Sequence, residues 1–148
     1  MSRAKTFLAL LPSLTVLALP AQALDPGAEK YENLLTPLLE SSETIVGQPF
    51  AYPDGAPKVT AAIVTIPPGN DTGWHIHQVP LFAYVLEGEI SVDYGSKGVK
   101  VYKTGDSLME AMNWPHNATN KTDMPMKIMA VYMGTDGVPN AEPVDGPE

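Results

Sequence analysis

The chain has 148 residues, no cysteine and a formal net charge of −8 at pH 7. This length predicts a single domain. The absence of cysteine excludes disulfides, zinc–thiolate sites, iron–sulfur clusters and cysteine nucleophiles. The acidic balance argues against binding to nucleic acid or to anionic membrane surfaces.

The first 23 residues have the pattern of a secretory signal peptide. Arg3 and Lys5 precede an apolar run, residues 6–20, which is shorter than the roughly 20 apolar residues of a membrane-spanning helix. Residues 21–23 then form an A-x-A cleavage site. We therefore predict a secreted or periplasmic protein that starts at Leu24 after cleavage and is not held in the membrane. Cleavage would remove two positive charges, giving −10, and would leave no arginine.

The remaining chain divides into three segments. Residues 24–42 predict a loosely structured start, with a short helix over residues 32–39. Residues 43–134 contain short runs rich in β-branched and aromatic residues, bounded by Gly, Pro, Asn or Asp, which predicts an all-β sandwich or barrel. Residues 135–148 form an acidic, proline-rich tail that we expect to be extended or mobile.

The chain contains three histidines, two of which are separated by one residue. His75 and His77 lie in a predicted strand, where alternate residues point to the same side, so both imidazoles should face one interior. Two imidazoles in an apolar interior are costly unless something uses their nitrogens, and a divalent metal does so. His116 follows a second strand that glycine precedes. This spacing predicts a metal site; the alternative is a structural histidine pair.

Two spaced motifs in this region resemble those of the cupin superfamily. Gly69, His75, His77 and Gly88 match the first motif, and Leu81 occupies the position that the family fills with glutamate.

The second motif is matched less completely. Gly105, His116 and Asn120 are in place, whereas Ala111 replaces the proline and Asn113 replaces the glycine of the family pattern.

The resemblance covers residues 43–134 and implies a small single-domain cupin, a jelly-roll β-barrel with a divalent metal ion inside. It implies that His75, His77 and His116 are the metal ligands. Fe(II) is the favoured ion, and Zn, Ni, Mn and Cu are alternatives.

Leu81 cannot ligate a metal, and three possibilities stay open. The site can be a three-histidine centre, as in cupins of the thiol and β-diketone dioxygenase kind. Glu110, six residues before His116, can supply a carboxylate as a fourth ligand, as a catalytic base or as a group that orients an imidazole. The metal can also have been lost, leaving a ligand pocket. Strand alternation places Leu81, Ala83 and Val85 on the cavity side, which predicts an apolar wall.

The favoured function is a dioxygenase-like oxidation of a small neutral or weakly polar molecule. Cupins of the thiol dioxygenase type that act on amino acids hold the substrate carboxylate with an arginine. The predicted mature chain has no arginine, so a diketone or a catechol-like phenol is a better candidate substrate. One alternative is a non-catalytic periplasmic cupin that binds a metal or a small molecule. Another is a metal-assisted isomerase or lyase with Glu110 as base.

Two further expectations concern partners and the rim of the site. The resemblance implies a possible homodimer through an N-terminal strand, for which residues 43–52 are the candidate edge. The other expected partner is a small-molecule substrate or ligand. Trp114, in the loop before His116, is expected either to form a wall of the pocket or to cap the barrel end.

Overall fold

A computed structural model of the protein describes residues 33–147. The predicted signal peptide, residues 1–23, lies outside the described residues. Pro37–Glu148 form one compact unit, and of the chain before it only residues 33–36 are described. Among the described residues, no helix has the length and apolar character needed to cross a membrane.

The short helix predicted over residues 32–39 is wrong for the described part of that segment. The structure has a turn followed by irregular chain from residue 33 onward. Pro37 cannot donate an intrahelical hydrogen bond and disfavours helical geometry in the residue before it. Leu38 and Leu39 are exposed, so no buried apolar face stabilises a helix here.

The rest of the described chain is almost entirely antiparallel β-structure, as predicted. Its strands are β1 (Pro57–Ile66), β2 (His75–Ile76), β3 (Leu81–Glu87), β4 (Glu89–Asp93), β5 (Val99–Lys103), β6 (Ser107–Met109), β7 (Asn117–Thr119), β8 (Met126–Thr135) and β9 (Glu142–Pro143). A single 3-10 turn, Gly95–Lys97, joins β4 to β5.

The strands form two main sheets and a short two-stranded ribbon. The first sheet has the order β1-β8-β3-β6, the second has the order β5-β4-β7, and the ribbon pairs β2 with β9. Residues of both main sheets meet in one hydrophobic core that includes Val85, Ile90, Tyr94 and Met126. Two antiparallel sheets around one core agree with the predicted jelly roll.

Strand alternation gives the four-stranded sheet an inner and an outer face. Leu81 and Ala83 of β3 lie opposite Tyr132 and Ala130 of β8, and Leu81, Ala83 and Ala130 are almost fully buried. Ile63 of β1 lies on the outer face and is exposed. The inner face is the one that carries the candidate site.

Residues 43–52, predicted as a strand and as the dimer edge, form a turn instead. Glu43 and Pro49 make one isolated bridge, and the backbone N–H of Gly47 donates to the carbonyl of Thr44 at 2.9 Å. Gly47 has a φ of 79°, which turns the chain, and Pro49 has no N–H for a strand ladder. The segment therefore offers no strand edge, and the homodimer stays a prediction without a defined surface.

The acidic tail, predicted over residues 135–148 and described up to residue 147, turns after β8 and then returns to β2 as extended chain. Strand β9 pairs with β2, with Pro143 opposite His75. The backbone N–H of Val144 donates to the carbonyl of Trp74 at 3.0 Å. Of the two states expected for the tail, this is the extended one, and it places the tail beside the histidines.

Candidate metal centre

The three histidines come from two neighbouring segments of the chain. His75 begins β2, His77 follows that strand, and His116 immediately precedes β7. The backbones of His75 and His116 exchange two hydrogen bonds of 3.0 Å, which pairs the two segments at this point. The structure thus brings all three predicted ligands together.

The three imidazoles form a compact group. The ring centroids of His75 and His116 are 4.4 Å apart, those of His75 and His77 are 4.9 Å apart, and those of His77 and His116 are 5.1 Å apart. One ring nitrogen of each histidine lies within 4.8 Å of those of the other two. Three nitrogen donors gathered in this way suit a single metal ion with open positions for other ligands.

A backbone carbonyl fixes the orientation of each ring. The Nδ1 atoms of His75, His77 and His116 lie 2.8, 2.7 and 2.8 Å from the carbonyl oxygens of Gly73, Asn140 and Trp114, respectively. Because a carbonyl oxygen only accepts, each Nδ1 carries a proton, and in the neutral ring the Nε2 atom has a free lone pair. Metal-binding histidines typically have this kind of second hydrogen bond, which orients the ring.

Burial keeps the three rings neutral at pH 7. It lowers the pKa of all three imidazoles, and it lowers the pKa of His77 to about 3. The backbone hydrogen bonds act in the opposite direction, and the nearby His116 ring lowers the pKa of His75 and His77 further. The neutral imidazole is the form that ligates a metal, so the donor set fits a divalent ion.

The histidines face a small and largely apolar cavity of about 80 Å³. Seven of its lining residues are aliphatic: Val64, Ile66, Leu81, Ala83, Ala118, Ile128 and Ala130. None of the described lining residues is a lysine or an arginine. Leu81 and Ala83 line the cavity as predicted, whereas Val85 is buried in the core. Leu81 therefore supplies apolar wall at the position where the family motif has a carboxylate.

Glu110 enters the same cavity from the end of β6 and is almost fully buried. Its Oε1 atom accepts hydrogen bonds from the hydroxyl of Tyr94 and from the backbone N–H of Ala111, both at 2.8 Å. Burial raises the pKa of Glu110, and these two hydrogen bonds offset the rise only in part. Burial thus makes the carboxyl group easier to protonate than an exposed glutamate.

The compact group of possible metal ligands in the described residues contains the three histidines and not Glu110. The hydrogen bonds described for Glu110 go to Tyr94 and Ala111, while backbone carbonyls orient the histidine rings. This geometry favours a role for Glu110 in exchanging a proton with a bound molecule over a role in orienting an imidazole ring.

A wider space of about 290 Å³ lies on the outer side of the histidines. It shares Thr72, His75, His77 and Tyr132 with the inner cavity, and Ala141 and Pro143 of the tail complete its lining. Sequence reasoning missed Tyr132, whose ring centroid is 5.6 Å from that of His77. Strand alternation from Ile128 and Ala130 along β8 would have indicated it. A carbonyl such as that of Asn140 leaves no signal in a sequence.

Trp114 is not among the residues that line the cavity. Its indole Nε1–H donates to the carbonyl of Tyr94 at 2.9 Å, and its ring packs against the core. In the same loop, Asn113 has a φ of 50°. Asparagine adopts this left-handed geometry more readily than most residues, which explains how it replaces the glycine of the family motif.

Comparison with known proteins supports the cupin superfamily. Residues 62–132 match the family described as the cupin domain. Among curated proteins, none matches this chain significantly.

Several solved structures share the fold. A protein of Klebsiella pneumoniae subsp. pneumoniae with a double-stranded β-helix domain is 19% identical with a TM-score of 0.51, and the match covers 60% of this chain and 76% of the Klebsiella chain. The polyketide cyclase RemF of Streptomyces resistomycificus is 21% identical with a TM-score of 0.52, and the match covers 64% of this chain and 66% of the cyclase chain. The oxalate decarboxylase of Lactobacillus farciminis is 22% identical with a TM-score of 0.50, and the match covers 58% of this chain but only 26% of the decarboxylase chain. At these identities the likeness establishes the fold and leaves the reaction open.

Proposed function

We propose that this chain is an exported, metal-dependent enzyme that oxidises a small neutral or weakly polar molecule in the manner of a dioxygenase. His75, His77 and His116 would hold a divalent ion, with Fe(II) favoured. Such an ion supplies Lewis-acid and redox chemistry when bound. The signal-peptide pattern of residues 1–23 supports export.

One observation carries the metal-site part of the proposal. Each of the three rings donates Nδ1–H to a backbone carbonyl, and one nitrogen of each ring lies within 4.8 Å of the other two. Acceptor nitrogens gathered beside an apolar cavity are what a metal ion requires, and they are unfavourable in a core that has no ligand for them. This arrangement supports metal binding over a purely structural histidine pair.

The cavity supports a small and uncharged substrate. A volume of about 80 Å³ holds only a few atoms, so a larger molecule must extend into the outer space. The aliphatic walls favour an apolar group, and without lysine or arginine among the described lining residues a substrate carboxylate would have no cationic side chain as partner. A dioxygenase places both atoms of O₂ in one substrate, so the reaction balances without an external reductant.

In this proposal the side chains that line the cavity have two different roles. Leu81 and Ala83 keep water away from the reacting molecule. Glu110, held by Tyr94, is placed to exchange a proton with that molecule.

Glu110 also favours a second candidate, a metal-assisted isomerase or lyase. In an isomerisation, Glu110 acts as base: it takes a proton from one atom of the substrate and returns it to another, so no proton is consumed. The observation behind this candidate is the buried carboxyl group at the cavity wall, whose pKa burial raises. A non-catalytic cupin is the remaining alternative, and it would bind a metal or ligand without turnover.

The first test is metal analysis of mature protein purified without chelator, beside His75→Ala and the surface control Thr65→Ala. We expect about one equivalent of a divalent metal in the wild type and in Thr65→Ala, and less than about a tenth of an equivalent in His75→Ala. Oxygen uptake is then measured with a panel of neutral diketones and phenols.

The outcomes separate the candidates. Iron with oxygen uptake supports the dioxygenase. Metal without oxygen uptake, but with isomerase or lyase turnover, supports the second candidate. Metal or ligand binding without any turnover supports the non-catalytic cupin. If no metal binds even after reconstitution, the proposed enzyme is excluded.

A further inference from the structure

The C-terminal segment, residues 140–144, is attached to the metal centre by several contacts. Strand β9 pairs with β2, and the side-chain amide of Gln78 donates to the carboxylate of Glu142. The N–H of Val144 donates to the carbonyl of Trp74. These contacts hold the segment against the strand that carries the histidines.

The segment orients one histidine that has no local partner. His75 and His116 donate Nδ1–H to carbonyls two residues earlier in the chain, so local backbone geometry suffices for them. His77 donates instead to the carbonyl of Asn140, which is 63 positions away. His77 is also 3% exposed, so in the intact chain water does not compete with that carbonyl. The position of the His77 ring therefore depends on the tail.

The same segment forms one side of the outer space. Ala141 and Pro143 line it together with the barrel residues Thr72 and Tyr132. The outer space shares four lining residues with the inner cavity of about 80 Å³, so a ligand of more than a few atoms would extend from the inner cavity into the outer space. The size of the tail side chains therefore limits the size of the ligand.

We propose that residues 140–144 contribute to the metal centre in two ways. The carbonyl of Asn140 positions the His77 ring, and the side chains of Ala141 and Pro143 restrict binding to small ligands. This inference rests on the proposed metal site. Asn140 is a positioning residue that acts through His77.

The test compares the full chain with two shortened chains. One ends at Pro139 and lacks the whole segment; the matched control ends at Val144 and keeps it. The first readout is ¹⁵N NMR of the His77 ring in metal-free protein, which shows the nitrogen that bears the proton. We expect Nδ1–H in the full chain and in the control, and loss of this preference in the chain that ends at Pro139.

The second readout is affinity for Co(II). Loss of a partner that orients a metal ligand typically weakens metal binding by about 10- to 100-fold. We expect that loss in the chain that ends at Pro139, and binding within about twofold of the full chain in the control. Circular dichroism checks that both are folded. If the shorter chain does not fold, the full-length double variant Gln78→Ala, Glu142→Ala, which removes the side-chain link, should weaken Co(II) binding in the same direction.

Ligand size is tested on the Co(II) protein with imidazole and 4-phenylimidazole, which bind an open metal position. In the full-length variant Ala141→Trp, 4-phenylimidazole should bind at least about tenfold more weakly, while imidazole should be little affected. Unchanged binding of both probes would refute the selection of ligands by the tail.

The failures of the two proposals are distinguishable. If the full chain binds Co(II) and the chain that ends at Pro139 binds it equally well with Nδ1–H retained, the metal site stands and the role of the tail is overturned. If the full chain binds no metal, the proposed function falls, and the NMR comparison alone decides whether the tail positions His77.

Discussion

Leu81 and Glu110 together show how single residues set the chemistry of this cavity. Leu81 is 5% exposed and lines the wall, so the position at which the family motif has a carboxylate is apolar here. Glu110 brings a carboxyl group into the same cavity from a different strand. It stays outside the group of three histidines, and burial raises its pKa. The carboxyl group of this cavity therefore comes from the end of β6 and not from β3.

Replacing Glu110 by glutamine tests the proton-carrier role. Glutamine has nearly the same shape and keeps an oxygen that can accept from Tyr94 and Ala111, so the free energy of unfolding should change by less than about 1 kcal/mol. Metal content should stay within about twofold of the wild type. Turnover should fall by roughly 100-fold or more, because proton exchange is lost.

The matched control is Glu89→Gln, at a partly exposed position of β4 that does not line the cavity, and it should leave metal content and turnover unchanged. Loss of the metal in Glu110→Gln would instead identify this carboxylate as a ligand. Full activity would remove Glu110 from the mechanism.

At the scale of elements, one buried side chain joins the loops on either side of the site. Asn120 is fully buried, and its Nδ2 donates to the carbonyls of Ile66 at 3.0 Å and Met124 at 2.8 Å. Its Oδ1 accepts from the backbone N–H and the hydroxyl of Thr122. It therefore ties the end of β1 to the loop that leads into β8.

We predict that Asn120→Ala lowers the free energy of unfolding by about 1–3 kcal/mol, because it leaves the buried carbonyl of Ile66 without this donor, whereas the carbonyl of Met124 still accepts from the hydroxyl of Thr122. Urea unfolding followed by circular dichroism measures the change. Asn70→Ala, at an exposed turn position, should change stability by less than about 0.5 kcal/mol. If the free energy of unfolding changes as little in Asn120→Ala as in the control, the hydrogen bonds of Asn120 do not stabilise the fold.

At the scale of the whole molecule, the buried histidines couple metal-free stability to pH. The folded pKa of His77, about 3, lies below its unfolded value of 6.5. Between these values the unfolded chain binds a proton that the folded chain does not, so stability falls as the pH falls from 6.5 toward 3. His75 and His116 act in the same direction, because burial lowers their pKa as well. Glu110 acts in the opposite direction, since its folded pKa is raised.

For metal-free protein we therefore expect acidification from pH 7.5 to 5.5 to destabilise the fold. His77 alone should contribute about 1.4 kcal/mol, because at pH 5.5 the unfolded imidazole is mostly protonated and the folded one is not. Urea unfolding at the two pH values measures this loss. In His77→Gln the loss should be smaller by about that amount; an identical pH dependence in the variant would contradict a buried neutral His77.

The features of this protein that can be predicted from its sequence are those that depend on local periodicity. Alternation along residues 75–77 placed both imidazoles on one side, and alternation along β3 placed Leu81 and Ala83 on the cavity wall. The prediction of a strand from β-forming residue types failed for residues 43–52, where Gly47 and Pro49 turn the chain. Propensity is a property of single residues, whereas a strand also needs a partner with free backbone groups.

By itself the sequence determined the all-β class and the three histidines, because strand periodicity and residue type are local properties. It left Glu110 open between ligand, base and orienting group, since a loop breaks the alternation before His116. Only the tertiary structure decided that Glu110 faces the cavity and that the tail returns to the site. It also showed that a carbonyl 63 positions away holds the His77 ring. The physical reason is that every residue has a backbone carbonyl, so only the folded chain shows which one lies within hydrogen-bonding distance of an imidazole.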